Sequence, residues 1–248
     1  MPRWHIFGGE CPHPMTELDD YLATYYQTAT QVARAAAISA DELEALIGMR
    51  LVPAPSYVVS DGTVSSFVFG AMDAPGATPG RYFHPSQRTW IARARSILAA
   101  GPAHTAKARM QAQFDVNFGA ALAELHATTW RLADSFDETG APISAGLQMR
   151  LTSAWTYFLN GTFGLCVADP VSEAHIARKE VLQEKLMQVS DNGKKTRYAP
   201  QEAQAVRELI DDYAAAAMLF SPVEYPVSSR KRLVEDLRLK LTVADELV

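Results

Sequence analysis

Apolar residues at helical spacing over most of the chain, a single Asp-Gly hairpin at residues 61–62, and three short helices ahead of it predict a mainly α protein. The expected architecture is a winged helix-turn-helix-like N-terminal unit with one β-hairpin, residues 1–100, followed by an α-helical bundle, residues 101–248. Residues 1–12 read as irregular, with Gly8-Gly9 and Pro12-His13-Pro14 as breakers. A first helix fits 16–26, where Leu18, Tyr21, Leu22 and Tyr25 share one face, and helices follow at 28–37 and 40–49. Ser39 with Glu42 three residues later reads as a capping box that starts the third. Pro53 and Pro55 end it.

Residues 57–60 and 63–69 are rich in β-formers and flank Asp61-Gly62, a pair that readily takes the positive φ of a tight hairpin turn. Residues 73–80 are a loop by composition, 81–84 a short return strand, and a helix carries Trp90, Ile91, Ala94, Ile97 and Leu98 on one face. Only helices are expected beyond Gly101: 103–134, 145–159, 170–189, 200–220 and 229–242. The longest holds Met110, Phe114, Phe118, Leu122, Leu125 and Leu132 in one stripe, which is either core or the seam of a homodimer.

Composition narrows the function. With 48% apolar residues in 248, the chain can bury a substantial core. No apolar run is long enough to span a membrane, and the N-terminus lacks a secretory leader pattern, so a cytoplasmic location is expected. The two cysteines, Cys11 and Cys166, have neither disulfide-framework nor zinc spacing. The one Glu-x-x-His, Glu10 to His13, lies in a proline-broken segment, and neither metal nor cofactor is expected. The net charge of −5 weighs against nucleic acid. So do Asp41, Glu42 and Glu44 at the start of the helix that would enter a DNA groove. Arg88, Arg93, Arg95, Lys107 and Arg109 form the most basic candidate surface, either phosphate contacts or a solvated helix face.

Three stretches carry candidate chemistry. Residues 155–166 crowd aromatics, two glycines and a thiol between helices; Trp155, Tyr157 and Asn160 could line a pocket, with Cys166 as nucleophile beside a helix start at Asp169-Pro170. The competing reading of Cys166 is a small core residue between Leu165 and Val167. Ser228 to Arg232 sets two hydroxyls and three cations at a helix start, where the dipole disfavours cations; Ser229, Arg230 and Arg232 could grip an anion, or else the serines cap and the charges are solvated. His126, beside the long apolar stripe, is either a general base or a structural imidazole.

Two resemblances add to this reading. Residues Gln31-Val32-Ala33-Arg34-Ala35-Ala36, Ile38-Ser39, Arg50-Leu51-Val52-Pro53 and Arg81-Tyr82-Phe83, with the helix through Arg93 and Arg95, resemble the N-terminal domain of the mercury-resistance-regulator (MerR) type of transcription factor over residues 28–99. The family pattern puts a basic, aromatic face on the second helix, where this chain has Ala40-Asp41-Glu42-Leu43-Glu44. Residues 51–59, 159–166 and 224–232 make the chain similar to an actinobacterial family of natural-product biosynthesis proteins of unknown function. That second resemblance implies a secondary-metabolite setting. The expectation is a protein that binds a small anionic or carrier-linked metabolite in its helical domain, with its conversion an open further step. A biosynthetic partner protein is a further expected contact, whereas DNA and membranes are not. The alternative is a MerR-like, ligand-sensing regulator of a biosynthetic pathway.

Overall fold

Thr16 and Thr28 start the first two helices by one device: each hydroxyl accepts the backbone N–H three residues on, and that residue's side chain returns to the cap. The computed structural model describes residues 15–245; Cys11 and the Glu10 to His13 spacing lie outside them. The helices are α1 (Glu17–Tyr25), α2 (Ala29–Ala35), α3 (Ala40–Gly48), α4 (Gln87–Ala99), α5 (Ala106–Thr128), α6 (Ser144–Leu159), α7 (Thr162–Cys166), α8 (Glu173–Val189), α9 (Pro200–Ala216) and α10 (Asp236–Asp245). A π-helical turn, Lys231–Glu235, leads into α10. None of them is long and apolar enough to cross a membrane.

The mainly α class with one hairpin is overturned by the sheet. Five strands, β1 (Gln27–Thr28), β2 (Tyr57–Ser60), β3 (Thr63–Ser66), β4 (Gly70–Asp73) and β5 (Gly80–Phe83), form one antiparallel sheet in the order β1-β5-β2-β3-β4. The protein is mixed α and β. Asp61 and Gly62 do adopt positive φ between β2 and β3. The second strand stops at Ser66, however, and the chain turns through Phe67, Val68 and Phe69 into β4, with Gly70 at φ +71°. The return strand expected at 81–84 is β5, shifted one residue earlier, and it sits between β2 and the two-residue β1.

Helix ends also differ from the expected ones. The long helix stops at Thr128, and His126 Nδ1 accepts the Leu132 N–H at 2.9 Å to cap the segment that follows. Ser172, rather than Asp169 or Pro170, caps α8. The last residues of the expected 200–220 helix run extended from Ala217. Ser39 caps α3, but the Glu42 carboxylate turns away to Arg95, 3.4 Å distant.

One hydrophobic core runs from Leu18 to Phe220 and continues across residue 100. Trp90 of α4 packs edge-on against Phe158 of α6, with ring centroids 4.6 Å apart, and its indole N–H donates to the Pro170 carbonyl at 2.8 Å. The α5 stripe Met110, Phe114, Phe118 and Leu122 is buried here, within the chain. A second core joins α8 to α9 and α10 through Leu182, Leu186, Val206, Ile210, Tyr213, Leu233 and Leu237. Helix α8 serves both: Ile176, Ala177 and Val181 face the first and Leu182 and Leu186 the second.

Candidate functional site

A cavity of 230 Å³ opens beside α6 and α8. Phe118 and Leu122 come from α5, Met149, Ser153, Ala154 and Tyr157 from α6, Phe163 from α7, and Glu180 and Val181 from α8. Met149 and Tyr157, 71% and 43% exposed, present apolar surface at its mouth. Tyr157 also meets Phe67 of the β3–β4 turn edge-on at 6.3 Å. The hollow lined by Gln183, Glu184, Met187, Gln188, Asp191 and Asn192 shares Arg150 and Glu180 with this cavity.

The charge of this region is set by Arg150. Its guanidinium takes Asp134 at 2.9 Å and Glu184 at 2.6 Å. Burial works to lower the arginine's pKa, and the two carboxylates more than offset it, so Arg150 stays charged. Burial would likewise raise Asp134, but Arg150 holds it below the usual carboxylate range. The arginine is thus spent on two protein carboxylates, whose charge exceeds its own, and Asp191 adds to the acidic excess of the wall.

Behind the wall, Glu180 Oε1 accepts from Lys179 Nζ at 2.8 Å, and Lys179 Nζ lies 3.5 Å from Cys166 Sγ. Cys166 is 7% exposed and Lys179 3%. Burial pushes the Cys166 thiol up and outweighs the nearby ammonium. For Lys179, burial works downward, while the Glu180 carboxylate bonded to it holds the amine raised and charged. Sequence reading missed Lys179. Its signal was legible: it lies three residues after Ile176 and three before Leu182, on a face of α8 that is otherwise apolar.

The anticipated site residues are dispersed. Trp155 is core, stacked on Phe158 at 5.3 Å and 5.4 Å from Phe114. Asn160 caps the C-terminus of α6 at the turn into α7. That turn docks on the N-terminal half: Ala54 N–H donates to Leu159 O at 3.0 Å and Ser56 Oγ to Gly161 O at 3.2 Å. His126 packs on Phe136, 5.0 Å between ring centres, beyond its backbone bond to Leu132. Arg230 donates to the carbonyls of Ala214 and Ala217 at 2.8 and 2.7 Å, so it closes the end of α9. Ser229 Oγ lies 2.9 Å from Tyr213 OH, and Arg232 packs along Gly193. Only Tyr157 of the expected pocket residues lines the cavity, with Cys166 behind its wall through Lys179.

Of the basic surface, Arg93 and Arg95 are internally paired, as is Arg81 of β5. Arg81 bonds Glu44, Arg95 bonds Glu42, and Arg93 bonds the buried Glu173 while lying 4.6 Å over the Trp90 ring. The acids of α3 and the arginines beside it therefore neutralise one another.

A protein-family model described as a family of unknown function (DUF6058) matches residues 110–242. That span contains the whole cavity lining. No curated protein and no solved structure matches the chain.

Proposed function

The chain belongs to the DUF6058 family of unknown function, and from that premise we propose a small-molecule-binding role in natural-product biosynthesis, with an apolar, amine-bearing ligand seated between α6 and α8. One observation carries the reading: a 230 Å³ cavity with an aromatic and aliphatic lining is edged by three carboxylates, Glu180, Glu184 and Asp134, against two cations, Lys179 and Arg150. Apolar surface supplies affinity, and a carboxylate in a partly desolvated wall orients a cation. The sign of charge differs from the anionic metabolite that the sequence suggests, because Arg150 is held by Asp134 and Glu184, and Arg230 by carbonyls. The biosynthetic setting rests on the resemblance of residues 51–59, 159–166 and 224–232. The DNA-binding alternative is disfavoured by the pairing of Arg81 and Arg95 with Glu44 and Glu42.

Thermal unfolding with hydrophobic primary amines, against chain-matched carboxylates, tests the reading. Amines at about a hundredfold excess over Kd should raise Tm by roughly 5 °C or more. Ser153→Trp, at an exposed lining position, should fill the cavity and remove the effect without disturbing the core. Equal stabilisation by the carboxylates, or an undiminished response in S153W, would overturn it.

A further inference from the structure

We propose that Cys166 and Lys179 are the two ends of an oxidative cross-link, a covalent Sγ–O–Nζ bridge that staples α7 to α8. Their reactive atoms stand 3.5 Å apart with no other group between them. Both side chains are buried, and Cys166 is a free thiol. A buried lysine is costly unless its charge is matched, and a neutral residue of similar length would fill the seam between the two cores at less cost. The amine is instead retained beside a thiol, with Glu180 bonded to it at 2.8 Å and forming part of the cavity wall.

The pair supplies both ends of the link and Glu180 a proton acceptor, and dioxygen from solution is the oxidant. Dioxygen, small and apolar, enters from the cavity side. The thiol sulfur and the amine nitrogen each lose two electrons, and the four reduce one molecule of dioxygen. One oxygen atom becomes the bridge and the other leaves as water. The S–H and N–H bonds break, S–O and O–N bonds form, and the remaining proton of the ammonium passes to the Glu180 carboxylate. An inserted oxygen atom spans the gap with less movement of the helices than a direct sulfur–nitrogen bond would need.

Intact-mass measurement on the whole protein decides the matter, comparing an oxygen-saturated sample with one kept anaerobic under reductant. The oxidised protein should gain about 14 Da, lose the gain on reduction, and yield in peptide mapping one species joining the Cys166 and Lys179 peptides. Its Tm should exceed that of the reduced form by a few degrees, roughly 3 °C or more, since the link constrains the unfolded chain. Cys166→Ser and the charge-preserving Lys179→Arg should both abolish the gain, and K179R keeps the buried cation should C166S prove unstable. Recovery of Cys166 as a fully alkylatable thiol after oxidation and denaturation would sink the proposal. So would its recovery as a sulfenic or sulfinic acid with Lys179 unmodified, or an identical gain in K179R.

Discussion

Gly161 holds φ +77°, and a Cβ built there would lie 2.5 Å from the Ala54 carbonyl oxygen and 2.7 Å from that of Pro55. Gly161→Ala is therefore expected to cost about 3 kcal/mol, read as a lower urea midpoint, through both left-handed strain and a backbone clash. Glu224 makes a different demand. It is 1% exposed, with hydroxyl donors Tyr57 and Ser66 at 2.7 Å and Ser221 at 3.1 Å, and none of these carries a positive charge. Burial raises its pKa, and the hydroxyls only partly counter this. The folded state thus holds the proton more tightly than the unfolded chain. The resulting stability is complete below the ordinary carboxylate range and is lost as pH rises through the raised value. Glu224→Gln should flatten that part of the pH–stability curve and leave the protein at least as stable at pH 7; a curve of unchanged slope would refute this. At this scale the sequence spoke unevenly. Cys166 stood out by type, and Lys179 was missed although its place on an apolar face carried a local signal, whereas the environment of Glu224 comes from residues up to 167 positions away.

Helix ends and strand partners were legible where the signal is local. The Asp61-Gly62 turn, the Thr16 and Thr28 caps and the Pro200 start of α9 each depend on residues within a few positions. β1 could not be read this way: its two residues pair with Phe83 and Tyr82 of β5, and a run as short as Gln27-Thr28 carries no alternation to signal a strand. β4 was hidden because Phe67, Val68 and Phe69, good strand formers, occupy the turn before it. The cations of residues 230–232 looked misplaced at the start of one helix, but Arg230 serves the end of another, α9. Arg230→Ala should destabilise the protein by about 2 kcal/mol in denaturant titration, since two carbonyls lose a charged donor. Arg230→Lys should recover part of that loss.

Across the whole molecule, the sheet and the helices that follow it share one core. Trp90, Phe158 and Pro170 meet from both sides of residue 100, and Arg93 reaches Glu173. A fragment of residues 101–248 should accordingly lack the near-ultraviolet circular dichroism of the intact protein and expose apolar surface to dye. The intact protein should show no salt-sensitive binding to duplex DNA, because Arg81 and Arg95, beside the acidic helix α3, already have carboxylate partners there. The carboxylate that closes the sheet has a further consequence in time. Glu224 and Ser66 are 158 residues apart, so a ribosome working at about 5–20 residues per second leaves the sheet's hydroxyls uncovered for roughly 8–30 s. Until that stretch emerges, the nascent chain is open to premature pairing and to chaperones, and slowed translation after the sheet would lengthen its exposure.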